Sequence, residues 1–436
     1  MKKKMLILLA LCMLSAAAVA ETADEPLPVE NLEEVRREVW DAYRQARLAD
    51  PLLLEETAGG NVSFSERTMK TLEQISSGGP VSAGVMTFGD AEMRYVALTI
   101  GEKPENGYPL YIALHGGGGA PAEVNDEQWE MMAYYYANRL SCGVYVAPRG
   151  VRDTWDTHFN PESYPLYDRL IEYMILTRDA DPNRVYLLGF SAGGDGVYAV
   201  APRMADRFAG VNMSSGHPNG VSLLNLKNLP IQLQAGENDT AYSRNTVTAE
   251  YDAYLNDLEA EYGGYIHRTM IHYNSGHNYA DYDRNPIPTI KDAQAWLKEG
   301  KRAYKTMDSY PPDWLNQFTR NPLPEMVLWD LTTRAALRET ESFYYLTAPY
   351  ATDSGVIRAS FSREENRIEI VARDVNGPFG VLLNEEMIDF SQPVVFSVNG
   401  EETVRRVTPD RRVLEETTAE RGDPNFQFEA KIMFGE

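Results

Sequence analysis

Residues 185–196 read VYLLGFSAGGDG, an apolar run that stops at a serine surrounded by glycines. Val185 to Leu188 have the composition of a buried strand, and the segment from Ala192 to Met204 is typical of a helix. Between them, GFSAG at 189–193 fits the G-x-S-x-G pattern of a sharp turn from strand to helix. Glycines permit such a strained turn, which would lift the Ser191 hydroxyl clear of the sheet, near a helix N-terminus. The stretch therefore predicts that Ser191 is a nucleophile.

Around this turn, apolar strand-like runs alternate with helical segments. Strand-like runs include YPLYIAL before residue 115, LPIQLQAGE near residue 232 and YIHRTMIHY near residue 270. Helical patterns cover Asp126–Leu140, Tyr167–Arg178 and Val247–Tyr262, with a further helix near Thr289–Leu297. This alternation predicts an α/β fold, a mainly parallel sheet with helices on both faces.

The composition changes on either side of this region and predicts four parts. Residues 1–20 form a signal peptide, 21–84 an N-terminal helical segment, 85–305 the α/β domain and 306–436 a C-terminal β-rich domain. In the second part, the helices are expected from Asn31 to Leu48 and from Glu66 to Ile75. The last part is expected to be a small β-sandwich-like unit with a turn at Asn399-Gly400.

The N-terminus indicates export. Lys2–Lys4 precede a short apolar stretch, and Ala18-Val19-Ala20 is a small-x-small cleavage site. Cys12 could suggest a lipoprotein, but Leu11 stands before it where a small residue is expected. After cleavage Cys142 is the one cysteine left, so an intramolecular disulfide is excluded. We expect a secreted or periplasmic bacterial protein that is not membrane-bound after cleavage.

Charge and motif content exclude several function classes. The formal net charge is −23, and cleavage would remove three further positive charges. Nucleic acids and anionic membrane surfaces are therefore unfavourable partners. The chain has no H-E-x-x-H and no clustered Cys/His pattern, and its glycine run lacks the ending of a phosphate-binding loop. We expect no metal and no cofactor.

A nucleophilic serine requires a base and an acid that orients the base. His277 follows the last strand-like run, in SGHN at 275–278. The acid is expected at the end of LPIQLQAGE, where Glu237 and Asp239 compete, and Asp239 is favoured because it lies a few residues beyond the strand. The chain order Ser191, Asp239, His277 is the order of α/β-hydrolase triads.

The reaction also requires N–H donors for an oxyanion. The glycine run after YPLYIAL allows backbone amides to face the reaction centre, so the predicted donors are the amide of Ala192 and one from Gly116 or Gly117. A flexible glycine loop is the alternative interpretation of this run.

Further polar and aromatic residues could line a pocket around the serine. His115 precedes the glycine run and is expected to orient it. Loop positions and the first turn of the helix supply the other candidates, which are Trp155, His158, His217 and Asp195.

Together HGGGG at 115–119, PRG at 148–150 near Trp155, DPNRVYLLGFSAGGDGVY at 181–198 and SGHN resemble the α/β-hydrolase superfamily. Within it, the chain is similar to secreted esterases, polyhydroxybutyrate-depolymerase-like proteins and prolyl-oligopeptidase-like catalytic domains. The resemblance covers about residues 85–305 and implies the triad and oxyanion roles given above. The propeller of true prolyl oligopeptidases is absent from this sequence, because only about 65 residues separate the signal from the hydrolase region.

Three functions follow as hypotheses. The first is a secreted serine esterase that cleaves a small-molecule or polymer ester, such as an acyl or feruloyl group on polysaccharide or a polyester, through an acyl-enzyme. The second is a serine peptidase with the same triad. The third is a non-catalytic glycan-binding protein on a hydrolase scaffold.

Overall fold

A computed structural model describes residues 31–50, 64–76, 81–272, 274–278 and 310–435. The predicted signal peptide at 1–20 and the predicted helix near 289–297 lie outside these ranges. Within them, every helix is too short or too polar to cross a membrane.

The main sheet has eight strands in the order β1-β2-β4-β3-β5-β6-β7-β8. The β1–β2 hairpin and the β2–β4 pair are antiparallel, and the pairs from β4 through β8 are parallel. This order and these directions are those of the α/β-hydrolase fold, which confirms the predicted fold class. The strands are β1 (Val81–Phe88), β2 (Ala91–Ile100), β3 (Tyr108–Leu114), β4 (Gly143–Pro148), β5 (Ala180–Phe190), β6 (Gly210–Ser214), β7 (Ile231–Gly236) and β8 (His267–His272).

Successive side chains of a strand point to opposite faces of the sheet, and here the side chains on both faces are buried. Helices therefore cover both faces. On β3, Leu110 and Ile112 join one buried cluster, whereas Tyr111 joins the cluster on the opposite face. The helices are α1 (Leu32–Leu48), α2 (Glu66–Ile75), α3 (Ala122–Tyr135), α4 (Ser163–Arg178), α5 (Ala192–Arg203), α6 (Arg244–Tyr262), α7 (Pro311–Leu315) and α8 (Arg411–Arg421). α4, α5 and α6 pack on the first face and α3 on the second.

Helix and strand bounds differ in places from the sequence expectations. α3 and α4 each begin four residues before the predicted starts at Asp126 and Tyr167. Pro121 directly precedes α3 and Pro165 is the third residue of α4, and proline is tolerated at the start of a helix. The predicted start of the α/β domain at residue 85 falls inside β1, which begins at Val81 because it pairs with β2 along its whole length.

The C-terminal region forms two smaller sheets around a shared apolar core. One sheet has the order β16-β15-β13-β12-β9 and the other β10-β11-β14-β17. Positive φ angles of 50° and 87° at Asn399 and Gly400 form the predicted hairpin turn between β15 and β16. Helix α8 was not expected. The strands are β9 (Met326–Asp330), β10 (Ser342–Phe343), β11 (Leu346–Thr347), β12 (Val356–Ser362), β13 (Arg367–Arg373), β14 (Phe379–Leu383), β15 (Val394–Val398), β16 (Glu401–Arg405) and β17 (Ala430–Phe434).

Helix α1 binds both regions through ion pairs. Arg47 pairs with Glu172 of α4 at 2.7 Å. Eleven residues earlier, Arg36 pairs with the buried Glu429 at 2.8 Å, next to β17. Because these arginines lie on one helix three turns apart, α1 bridges the eight-stranded sheet and the C-terminal sheets.

A buried ion cluster joins the region of the eight-stranded sheet to the C-terminal region. Arg421 lies 2.5 Å from Asp206, Arg338 lies 2.8 Å from an Asp168 oxygen, and Arg320 lies 2.9 Å from Asp423. Burial alone would raise the pKa of Asp206, but the charges of Arg421 and Arg338 outweigh it and lower that pKa to about 2. The cluster consists of Asp168, Asp206, Arg207, Arg320, Arg338, Arg421 and Asp423.

We predict that Arg421→Met lowers the free energy of unfolding by about 3–5 kcal/mol at pH 7, because it leaves Asp206 buried without its nearest cation. The control Arg367→Met removes the exposed pair with Glu402 and should leave the free energy of unfolding nearly unchanged, because water screens an exposed ion pair. Urea unfolding followed by circular dichroism measures both. Equal losses would contradict the prediction.

The same pair predicts an acid dependence of stability. The pKa of Asp206 is about 2 in the folded state and about 3.9 in an unfolded chain. The pairing therefore stabilises the fold fully above about pH 4, and this contribution declines as the pH falls towards 2. The difference in the free energy of unfolding between wild type and Arg421→Met should therefore narrow as the pH falls from about 4 to about 2.

Candidate active site

Ser191 lies at the junction of β5 and α5 with a strained backbone, at φ 58° and ψ −120°. The flanking residues must be glycines because a side chain would collide with the backbone. A Cβ at Gly189 would lie 2.1 Å from the Gly193 carbonyl oxygen. A Cβ at Gly193 would lie 2.1 Å from the carbonyl oxygen of Leu114, at the end of β3. The strain is therefore held by packing that excludes any side chain at these two positions. The Ser191 N–H donates to the Ser214 carbonyl at 2.9 Å, which ties the turn to β6.

The structure brings His277 and Asp239 to this serine. His277 Nε2 lies 2.9 Å from Ser191 Oγ, and its Nδ1 lies 2.8 Å from Asp239 Oδ2. Since a carboxylate accepts hydrogen bonds only, Nδ1 carries the proton and Nε2 accepts from the serine hydroxyl. The Asp239 side chain is 1% exposed, whereas the imidazole is 35% exposed. The carboxylate is thus shielded from water, while the base stays accessible to a ligand.

Close backbone contact positions the loop that carries His277. A Cβ at Gly236, the last residue of β7, would lie 2.0 Å from the Gly276 carbonyl oxygen. Ser215, the residue after β6, donates its hydroxyl to the His277 carbonyl at 3.2 Å. The imidazole ring also lies 5.2 Å from the Phe190 ring, centre to centre. Gly236, Ser215 and Phe190 therefore limit where the imidazole can lie.

The two competing acids have separate positions. Glu237 accepts a hydrogen bond from the Asn274 N–H at 2.9 Å, so it braces the histidine loop at its backbone. Asp239 contacts the imidazole, and its second oxygen lies 3.9 Å from a guanidinium nitrogen of Arg244, the first residue of α6. The sequence analysis did not single out Arg244, because a lone arginine at a helix start carries no pattern.

Two of the three predicted oxyanion residues lie beside the serine. A Cβ at Gly116 would lie 3.4 Å from Ser191 Cβ, and Ala192, the first residue of α5, follows Ser191 directly. Gly117 has φ 106°, and a Cβ there would lie 2.1 Å from Asn125 Oδ1, so this position packs against Asn125. The amide of Ala192 and one from Gly116 or Gly117 stay the proposed donors.

Asn125, which the sequence analysis missed, fixes the glycine run. Its side-chain oxygen accepts from the Gly118 N–H at 2.9 Å, and its side-chain nitrogen donates to the Gly118 carbonyl at 2.9 Å. These two bonds use the Gly118 amide and hold the run in one conformation. The run is therefore a braced loop and not a flexible linker.

His115 and His158 are fully buried beneath the glycine run. The Gly150 N–H donates to His115 Nε2 at 2.9 Å, so His115 Nδ1–H donates to the Gly116 carbonyl at 2.6 Å. His158 Nε2–H donates to the His115 carbonyl at 2.8 Å. Burial lowers the pKa of His115 well below its ordinary value and that of His158 to about 4. Both are neutral supports at physiological pH and do not face a ligand.

The other predicted pocket residues belong to two separate loops. Trp155 is 61% exposed, and its backbone nitrogen would lie 3.6 Å from a Cβ at Gly119. On the other side, the His217 N–H donates to Asp195 Oδ1 at 2.6 Å. Burial raises the pKa of Asp195 to about 6. Asp195 thus fixes the loop after β6 beside the first turn of α5.

The described residues contain no group of three His, Cys, Asp or Glu side chains that could hold a metal ion. The arrangement of Ser191, His277 and Asp239 supports proton transfer from a hydroxyl to an imidazole beside backbone amides.

Comparisons with known proteins found proteins of similar structure but no match by sequence. Neither protein-family models nor the sequences of curated proteins match this chain. A thermostable esterase is similar with a TM-score of 0.39 and 19% identity, over 55% of this chain and 63% of that one. A poly(3-hydroxybutyrate) depolymerase from Bordetella parapertussis has a TM-score of 0.39 and 16% identity, over 56% of this chain and 97% of the depolymerase. S-formylglutathione hydrolase from Staphylococcus aureus has a TM-score of 0.33 and 15% identity, over 50% of this chain and 97% of that hydrolase.

We predict that Asp195→Asn changes how stability depends on pH. The folded pKa of Asp195, about 6, lies above the unfolded value of about 3.9. Wild type should therefore lose about 2–3 kcal/mol of stability as the pH rises from 4 to 6, with no further loss above. The variant should lack this loss.

Urea unfolding of both proteins at several pH values from 4 to 7 measures the effect. Asp41→Asn, at an exposed position of α1, is the matched control and should keep the wild-type dependence. Parallel curves for wild type and Asp195→Asn would show that burial of this carboxyl does not oppose its ionisation.

Proposed function

We propose that the protein is a serine hydrolase that cleaves carboxylic esters through an acyl-enzyme. The single observation that carries the proposal is the hydrogen-bonded series from Ser191 Oγ through His277 to Asp239, with distances of 2.9 and 2.8 Å. A serine hydroxyl alone is a weak nucleophile, and this series supplies the base and its orienting acid.

The geometry gives each residue a role in two half-reactions. His277 Nε2 takes the proton of Ser191 as the hydroxyl oxygen attacks the ester carbonyl, and the amides of Ala192 with Gly116 or Gly117 bind the oxyanion. Collapse of the tetrahedral intermediate breaks the ester bond, and His277 returns the proton to the departing alcohol. Water then attacks the acyl-serine with His277 again as base, which releases the acid and restores Ser191.

Asp239 holds the imidazolium that forms in both steps. Its carboxylate is nearly inaccessible to water, so its attraction for the charged ring is little screened. Asp195 and Glu237 bond to backbone amides of neighbouring loops and not to the ring. They serve the site by positioning.

We place this hydrolase outside the cytoplasm, with export directed by residues 1–20 and with 85–305 as the catalytic region. The proposed substrate is a small-molecule or polymer ester, including esters linked to polysaccharide. The resemblance to secreted esterases is what favours esters over peptides.

We predict that a fluorophosphonate probe labels the folded protein covalently and that Ser191→Ala abolishes labelling. The probe reacts with a hydroxyl only when a base activates it. Ser243→Ala, outside the triad on the turn before α6, is the control and should label like wild type. No labelling of folded wild type would favour a non-catalytic glycan-binding protein.

Substrate class is tested with a p-nitrophenyl acyl ester and an aminoacyl-p-nitroanilide. We expect kcat/KM for the ester to exceed that for the anilide. The reverse order would replace the esterase with a serine peptidase that uses the same triad.

Two acid variants separate the roles of the neighbouring carboxylates. Asp239→Asn should lower kcat for the p-nitrophenyl ester by about 10⁴-fold, because it removes the partner that sets the imidazole tautomer. Glu237→Gln keeps an oxygen that can accept from Asn274 and should lower kcat by less than about tenfold. A larger loss for Glu237→Gln would assign the orienting role to Glu237.

A further inference from the structure

Arg244, the first residue of α6, lies beside the proposed triad acid. One of its guanidinium nitrogens lies 3.9 Å from Asp239 Oδ1, whereas Asp239 Oδ2 bonds to the imidazole. Both side chains are buried, with 11% of Arg244 and 1% of Asp239 exposed. Among the described residues, no other carboxylate forms an ion pair with this guanidinium. The nearest partner of its charge is therefore the acid that orients the base.

The position of Arg244 disfavours a cation. The N-terminus of a helix carries a partial positive charge, and the first turn of α6 contains no acidic residue that would offset it. Nε of Arg244 is buried and has no hydrogen-bond partner in the part of the chain that the structure describes. Nη1 donates to the Ala241 carbonyl over a long distance of 3.4 Å. Because a buried N–H without an acceptor costs free energy, local hydrogen bonding does not explain this side chain.

The two residues before Arg244 have strained backbones. Tyr242 and Ser243 both have φ 55°, in the left-handed region that residues other than glycine rarely adopt. The centre of the Tyr242 ring lies 4.8 Å from the guanidinium carbon of Arg244, although the ring is 77% exposed. An aromatic face attracts a cation, and on that side the ring shields the guanidinium from water. The strained turn thus places an exposed tyrosine where it holds the arginine.

The charge of Arg244 also acts on Asp195, in the first turn of α5. Burial raises the pKa of Asp195 to about 6, and the charge of Arg244 opposes that rise. The titratable groups around Arg244 are Asp195 from α5, His217 from the loop after β6 and Asp239 from the loop after β7. Of these three groups, Asp239 is the one that forms an ion pair with the guanidinium.

A cation beside Asp239 has two effects on the proposed base. Attraction at Oδ1 limits rotation of the carboxylate, so Oδ2 stays directed at Nδ1 of His277. The same positive charge disfavours a second one nearby, and it therefore works against protonation of the imidazole in acid. The first effect acts on the rate, and the second acts on the pH range of activity.

We propose that Arg244 is a positioning residue of the hydrolysis, which holds the Asp239 carboxylate by its second oxygen and so fixes the orientation of the base. This inference rests on the proposed function for the reaction itself. Because Arg244 would act through Asp239, its loss should appear in kcat and in the pH profile and not in KM.

Arg244→Met should lower kcat for p-nitrophenyl acetate about tenfold, because the carboxylate loses its charged contact. The midpoint of the acid limb of kcat/KM should move to higher pH by about half a unit, since one positive charge near the imidazole is removed. Arg244→Lys keeps the charge and should restore most of the limb. In the Asp195→Asn background, which removes the other titrating carboxylate, the shift should persist.

The matched control is Arg405→Met, which removes an arginine that lies over the Phe434 ring in the C-terminal region. It should keep the kcat and the pH profile of wild type. The same changes in this control would show that loss of an arginine over an aromatic ring, and not its position beside Asp239, causes the effect.

A double-mutant cycle tests whether Arg244 acts through Asp239. In the Asp239→Asn background, Arg244→Met should change kcat by less than about twofold, because an asparagine has no charge to hold. An equal loss in both backgrounds, a loss confined to KM or an unmoved acid limb would overturn the proposal. Each of these results would make Arg244 a structural or substrate-binding residue.

The imidazole can also be followed without turnover. In Ser191→Ala, the midpoint of the NMR titration of the His277 ring protons should move to higher pH when Arg244→Met is added. Hydrolysis of p-nitrophenyl acetate by wild type without this shift would overturn the role of Arg244 and leave the hydrolase. The shift without hydrolysis by wild type would overturn the proposed function and leave the coupling between Arg244 and the imidazole.

Discussion

A serine at φ 58° costs backbone energy, and the protein meets that cost with contacts that only glycine allows. Gly189 packs against the backbone of Gly193, and Gly193 packs against the backbone at the end of β3. This packing directs the Ser191 hydroxyl away from the sheet, where loops from β7 and β8 can reach it. A comparable contact between Gly236 and Gly276 brings the imidazole to the same point. The proposed chemistry depends on these backbone approaches.

The second constraint on the nucleophile acts at the far end of its helix. Arg338, from the C-terminal region, donates to the carbonyl of Arg203, the last residue of α5, at 3.0 Å. A cation there also complements the negative end of the helix dipole. The buried ion cluster then fixes the turn that follows α5. The C-terminal sheets therefore stabilise the helix that carries Ser191 at its start, although they lie far from it in sequence.

The histidines also differ in burial, and their roles differ accordingly. His115 and His158 stay neutral because they are enclosed, and they serve as fixed donors and acceptors under the glycine run. His277 is partly exposed and bonds to a carboxylate, which is the environment that the proposed base requires.

The sequence by itself determined the fold class, the turn at Ser191 and the small set of candidates for its partners, because these follow from local patterns of apolar residues and glycine. It favoured Asp239 over Glu237, two residues away at the same strand end, on spacing alone, and it overlooked Asn125 and Arg244. Only the tertiary structure shows that Asp239 contacts the imidazole while Glu237 bonds to the Asn274 backbone, and that Arg338 braces α5. The physical reason is that hydrogen bonds and ion pairs between distant segments depend on distances of a few ångströms, which only packing of the whole chain sets.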